Sequence, residues 1–165
     1  MRLITAACLM ILSTNLWAGP VSVEGAYVRH MPPTQSVTGA FMKLKNSSDQ
    51  AATLVSAESN VSEKVELHTH IHDNGMMRMR QVERIDIPAH GETALQPGGF
   101  HIMLIGLTQP LEMGQMVSLE LKFADGSSEQ VQAEVRSVMS EMKKDTKATE
   151  HAGQGMEHAG KAMDK

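Results

Sequence analysis

Two imidazoles and two thioethers recur between residues 67 and 104: His68, Met79 after ten intervening residues, His101 after twenty-one more, and Met103 just beyond. Thioether sulfur is soft and uncharged, and among biological metals it suits Cu(I) far better than Zn, Mg or Ca. Imidazole nitrogen also suits copper, so two of each make an N2S2 set for Cu(I). A single Met is more often a flexible apolar gap-filler. The local grouping His-x-Met at 101 and 103, with a further Met past a turn, is what carries weight. In a strand, residues i and i+2 share a face about 6.6 Å apart, so His101 and Met103 can address one ion. Ile102 and Leu104 then face the core and hold the strand's rotation, while Gly98-Gly99 lets the chain turn tightly into it.

The elements that must carry these side chains are short β runs separated by turn residues. Strands are expected over 21–29, 39–45, 53–57, 64–72, 76–87, 93–96, 100–105, 117–123 and 130–138. In the fourth, Val65, Leu67, Thr69 and Ile71 alternate with Glu66, His68, His70 and His72, and Asp73-Asn74-Gly75 is a strong hairpin signal. A two-residue loop would set Met79 opposite His70 and diagonal to His68, all on one face. A three-residue loop would flip the parity and move Met79 to the side of Thr69 and Ile71. Periodicity therefore leaves His70 and His72 as rivals to His68, and an all-His set would favour Zn or Cu(II). Eight or nine such strands with no long amphipathic helix predict an all-β chain, an antiparallel β-sandwich. Met42, Met76, Met77, Met113 and Met116 read as packing or surface residues, and His30 and His90 as surface.

Both ends of the chain differ from this middle. Arg2 followed by an apolar run over 3–12 and a more polar exit to Ala18 reads as a secretory signal peptide over 1–18, too short to span a membrane. A lipoprotein signal ending at Cys8 is the rival, weakened because the apolar run continues past Cys8. Residues 19–138 form the expected domain. Residues 139–165 lose the β pattern, turn Lys-, Glu-, Gly- and Ala-rich, and read as a flexible tail. There His151, Met156, His158 and Met163 recur in a seven-residue repeat, a compositional metal-binding signal, with imidazoles that could accept Cu(II) and thioethers that could hold Cu(I).

Loss of 1–18 would remove the only Cys and the only Trp. A mature chain without Cys has no thiolate, so the blue-copper electron-transfer class, which needs one, is set aside. Outside the cytoplasm a thiolate ligand risks forming a disulfide, whereas Met does not. A net charge of −4 with 3% aromatic residues argues against nucleic acid. Nothing resembles a nucleophile–base pair, so an enzyme is not expected. Delivery and copper buffering or resistance remain as readings of a copper-binding chain, and a monomer without membrane insertion is expected.

The spacing H-x10-M-x21-H-x-M, met by His68, Met79, His101 and Met103, resembles the signature of the periplasmic Cu(A) chaperone family, PCu(A)C. Similar too are Ala26-Tyr27-Val28-Arg29, Glu66-Leu67-His68, Gly75-Met76-Met77-Arg78-Met79, the stretch from Pro97 to Leu104, and Gly106-Leu107. The resemblance covers about residues 21–138. It implies a cupredoxin-like β-sandwich holding one solvent-accessible Cu(I) on those four residues, with His68 preferred over its rivals. It also implies a periplasmic carrier serving cytochrome c oxidase assembly at Cu(A) or a related copper site, alongside Sco-type proteins. Only some members share the tail.

Overall fold

The structure, a computed structural model, describes residues 19–73 and 76–137. All regular structure among them is β. In chain order the strands are β1 (Val21–Arg29), β2 (Val37–Asn46), β3 (Ala52–Ser59), β4 (Ser62–Asp73) and β5 (Met76–Gln81). They continue with β6 (Ile85–Ile87), β7 (Glu92–Leu95), β8 (His101–Leu107), β9 (Met116–Phe123) and β10 (Ser128–Arg136). The period-two pattern explains them: Val117, Leu119, Leu121 and Phe123 of β9 are buried, as are Val131, Ala133 and Val135 of β10, while the residues between them face outward.

Hydrogen bonding joins the strands in the order β5-β4-β8-β2-β1-β10-β9-β3-β6, and β7 pairs with β2. The far end, β6, comes back against β7 and β2, so the sheet curls round one core. Every strand except β5 contributes to that core, with Leu44, Ile85, Ile102, Leu104 and Leu119 fully buried. The all-β expectation therefore holds, with two corrections.

The first concerns pairing direction. β1 and β10 run parallel, with Tyr27 opposite Glu134 and Arg29 opposite Arg136, in a fold otherwise built of antiparallel pairs. The second concerns 76–87, which is two strands rather than one, bringing the total to ten. The Val82 amide still bonds the Leu67 carbonyl, but beyond it Glu83 and Arg84 are exposed. The chain then leaves β4, and Ile85 and Ile87 enter the core on the opposite edge, beside β3. Burial of two large aliphatic side chains outweighs continued pairing on an exposed edge.

Two local features aim the strands at one face. A bulge between Glu24 and Tyr27, with Gly25 at φ 61°, inserts an extra residue in β1 and sets Tyr27 opposite Phe41. At the start of β8, Gly98 takes φ 82°, and the Gly99 amide bonds the Gln96 carbonyl at 3.0 Å.

Candidate metal centre

β4, β8 and β2 lie side by side and supply the floor of the site. His68 pairs directly with His101, and Glu66 with Met103, which is itself opposite Gly39 on its other side. Ile102 and Leu104 point into the core with no exposed surface, so His101 and Met103 are held on the opposite face. The i, i+2 expectation for β8 is met. β4 turns into β5 with Asp73 opposite Met76, which leaves two residues in the loop. That register puts His70 directly opposite Met79 and His68 opposite Gln81. Of the two loop lengths open to the sequence, the structure adopts the shorter, and Met79 joins the histidine face.

The face is partly roofed. Tyr27 stacks on Phe41 with ring centroids 5.1 Å apart, and the Arg29 guanidinium lies over the Phe41 ring at 5.1 Å. Phe41 in turn sits 6.1 Å from the His101 ring. Gly39 makes room for this arrangement, because a Cβ there would meet Phe41 Cζ at 3.1 Å. Beneath lies a cavity of about 330 Å³ whose lining includes Arg29, Phe41, His70, Met79, His101 and Met103. His101 is 3% exposed, whereas Met79 on the outer strand is 56% exposed. The site therefore has a rigid inner side and an open outer one.

Three imidazoles converge, with His70 5.1 Å and His68 5.8 Å from His101 between ring centroids. Their hydrogen bonds set which nitrogen is available. His101 donates Nδ1–H to the Gly99 carbonyl at 2.9 Å, leaving Nε2 buried without a partner. His68 Nε2 meets the Glu66 carboxylate at 2.7 Å, and its Nδ1 is buried and unpartnered. A second partner that fixes tautomer and ring orientation is the usual support of a metal-binding histidine. A buried polar atom with no partner costs about 1–3 kcal/mol, so such unpartnered nitrogens call for a ligand. His70 Nδ1 is unpartnered too.

Charge favours a neutral site. Burial pushes the His101 imidazole below the ordinary histidine value, His70, His68 and Arg29 add to the effect, and the Gly99 carbonyl opposes it. Glu66 is held below the usual carboxylate range by Lys64 and then by His68. Among the described residues, no three His, Cys, Asp or Glu side chains are disposed to hold one metal together.

Of the expected residues, Met79, His101 and Met103 line one cavity, and His68 stands beside His101 without lining it. The side chain of His72 and the tail residues His151, Met156, His158 and Met163 lie outside the described residues. Reading by residue type missed Glu66, whose signal was an acid two positions before His68 on the same face. It also passed over the parts played by Arg29, Gly39 and Phe41, for which pairing between distant strands is the only signal. His90, expected at the surface, is exposed and bonds Asp49.

Comparison with known proteins adds four findings. A family model described as "Putative lipoprotein LpqE-like" matches residues 21–135. A relative in Leifsonia xyli subsp. xyli, "Putative lipoprotein Lxx21020", is 38% identical over 120 residues, spanning 72% of this chain and 71% of its own. The solution structure of CuI-DR1885 from Deinococcus radiodurans superimposes with a TM-score of 0.62 at 40% identity, over 76% of this chain and 85% of that one. A copper-bound PCuAC domain from PmoF2 has the same fold, with a TM-score of 0.61 at 19% identity, over 72% of this chain and 94% of that one.

Proposed function

The chain belongs to the LpqE-like, PCuAC family, and from that premise we propose that it is a copper carrier holding one Cu(I) on His68, Met79, His101 and Met103. The observation that carries the reading is the donor set itself. Unpartnered imidazole nitrogens of His68 and His101 stand beside the thioether strands, and Met79, His101 and Met103 border one cavity. All four donors are uncharged when they ligate, so the ion is bound without the strong charge pairing that would trap it. The open Met79 side lets a recipient reach the ion. The relative solved in a Cu(I) form, at 40% identity, supports the choice of metal and oxidation state.

In this reading the carrier works on the outer side of the inner membrane, in the periplasm. The apolar run near the N-terminus and the lipoprotein names of its relatives support an envelope location. Among the described residues no helix is long and apolar enough to cross a membrane. Its recipient is a copper site of cytochrome c oxidase, reached with Sco-type proteins, and the chain performs no chemistry on the ion beyond binding and release. The tail donors His151, Met156, His158 and Met163 collect further copper, including Cu(II).

The test is a Cu(I) competition titration of the full chain and of Met79→Leu and Met103→Leu. Leu keeps the bulk and removes the sulfur. Each change should weaken the single core site by about tenfold or more, with the fold intact by circular dichroism. Unchanged affinity in both variants would falsify the assignment. Transfer of the bound ion to a soluble oxidase copper domain, followed by its absorbance, checks the recipient.

A further inference from the structure

Three imidazoles, His68, His70 and His101, stand together at the site, one more than an N2S2 centre uses. We propose that His70 is itself a copper ligand, exchanging with His68 on a Cu(I) held by Met79, His101 and Met103; this rests on the copper-site reading above.

Four observations lead there. In the β4–β5 register His70 is the direct partner of Met79, and His68 is the diagonal one. Direct cross-strand neighbours have Cβ atoms about 4.5–5.5 Å apart, against about 7–8 Å along the diagonal. The His70 ring is also nearer to His101 than the His68 ring is, at 5.1 Å against 5.8 Å. His70, with Met79, His101 and Met103, borders the cavity, and His68 does not. Finally, His70 Nδ1 is buried without a partner.

The two candidates differ in how they are held. His68 is fixed by the Glu66 carboxylate, whereas His70 has no partner at Nδ1 to set its ring. A four-coordinate Cu(I) held by Met79, His101 and Met103 has one place left, so His68 and His70 alternate in it rather than act at once. The chemical use is hand-over. A carrier has to let one metal–ligand bond break while another still holds the ion. An imidazole untied at Nδ1 beside exposed Met79 lets Cu(I) leave His68 and stand at the outer side of the site before a recipient's donors take it.

The experiment uses the full chain with His151→Ala, His158→Ala, Met156→Leu and Met163→Leu in every variant, so that tail donors are silent. Cu(I) affinity is measured against a chromophoric Cu(I) chelator for this background, for His68→Ala, for His70→Ala and for the double variant. Each single change should leave one Cu(I) bound, and the double should bind at least about tenfold more weakly than His68→Ala alone. Equal affinity for the double variant and His68→Ala overturns the proposal. A Gln series at both positions repeats the comparison with less loss of bulk. In the background protein, nitrogen-15 imidazole spectra should show His70 Nδ1 shifting on Cu(I) addition, and an unmoved resonance also overturns it. Failure of the underlying reading looks different: Met79→Leu with Met103→Leu would then leave affinity unchanged, whatever the histidine variants do.

Discussion

At the scale of single residues, the proposed site would work by keeping its donors neutral and pre-aimed. His101 is the clearest case, with one nitrogen committed to the Gly99 carbonyl and the other left free in the cavity. Its pKa is lowered by burial first, with His70, His68 and Arg29 acting in the same direction. A histidine held low stays unprotonated, and so able to ligate, to a lower pH than a free imidazole. The sign for the metal-free protein follows by linkage. Below about pH 6.5 the unfolded chain takes up a proton that folded His101 refuses, so stability falls as pH drops through that range. Cu(I) affinity should also fall as the ligating imidazoles are protonated, with His101 holding out below the ordinary histidine value. Because thioethers carry no proton, the loss should be shallow, about one proton per copper or fewer near the onset. Competition titrations across that range check this. A steep loss of several protons per copper would point to an all-histidine centre instead.

At the scale of elements, the centre combines a rigid strand with a loosely held one. β8 sits between β4 and β2 and is anchored by Ile102 and Leu104. β5 is an edge strand whose six residues are all exposed, and it buries nothing in the core. Arg78 and Arg80 on that edge oppose unwanted pairing with other chains, while Met79 stays exposed. The turn into β8 is the most sensitive joint, because Gly98 adopts φ 82°. An L side chain there is strained by about 1–2 kcal/mol. Gly98→Ala should therefore lower unfolding stability by about that amount, measurable by urea denaturation. It should also weaken Cu(I) binding by disturbing the turn that presents the Gly99 carbonyl to His101. Full stability and affinity in that variant would show that the turn relaxes to a negative φ at no cost.

At the scale of the whole molecule, the described core is drawn entirely from residues 21–135. A chain ending after residue 138 should thus fold and bind one Cu(I) as the full chain does. It should bind less Cu(II), if the tail repeats collect it, and equal Cu(II) stoichiometry would reduce the tail to a solvated appendage. On the proposed ligand set the metal would tie together β5, β4 and β8, three successive strands at one end of the sheet. Copper that binds only the folded state at about a thousandfold excess over Kd stabilises it by about 4 kcal/mol. For a domain of this size that should raise Tm by more than about 10 °C, which calorimetry under anaerobic conditions would detect.

The sequence alone determined the local and the chemical. Alternation marked the strand regions, Asp73-Asn74-Gly75 and Pro97-Gly98-Gly99 marked the turns, and soft uncharged donors at fixed spacing pointed to Cu(I), because these follow from the period of a strand and from ligand chemistry. Tertiary structure decided whatever depends on distant strands meeting. The two-residue loop was one of two parities until β4 packed Leu67 inward and paired with β8. The parallel β1–β10 pair and the split after Gln81 answer to burial of Val28, Ile85 and Ile87, which no local pattern reports. Glu66, Phe41 and Arg29 became parts of the centre for the same reason. So did His70: its place in the cavity arises from cross-strand register, and register is set by the core the whole chain forms.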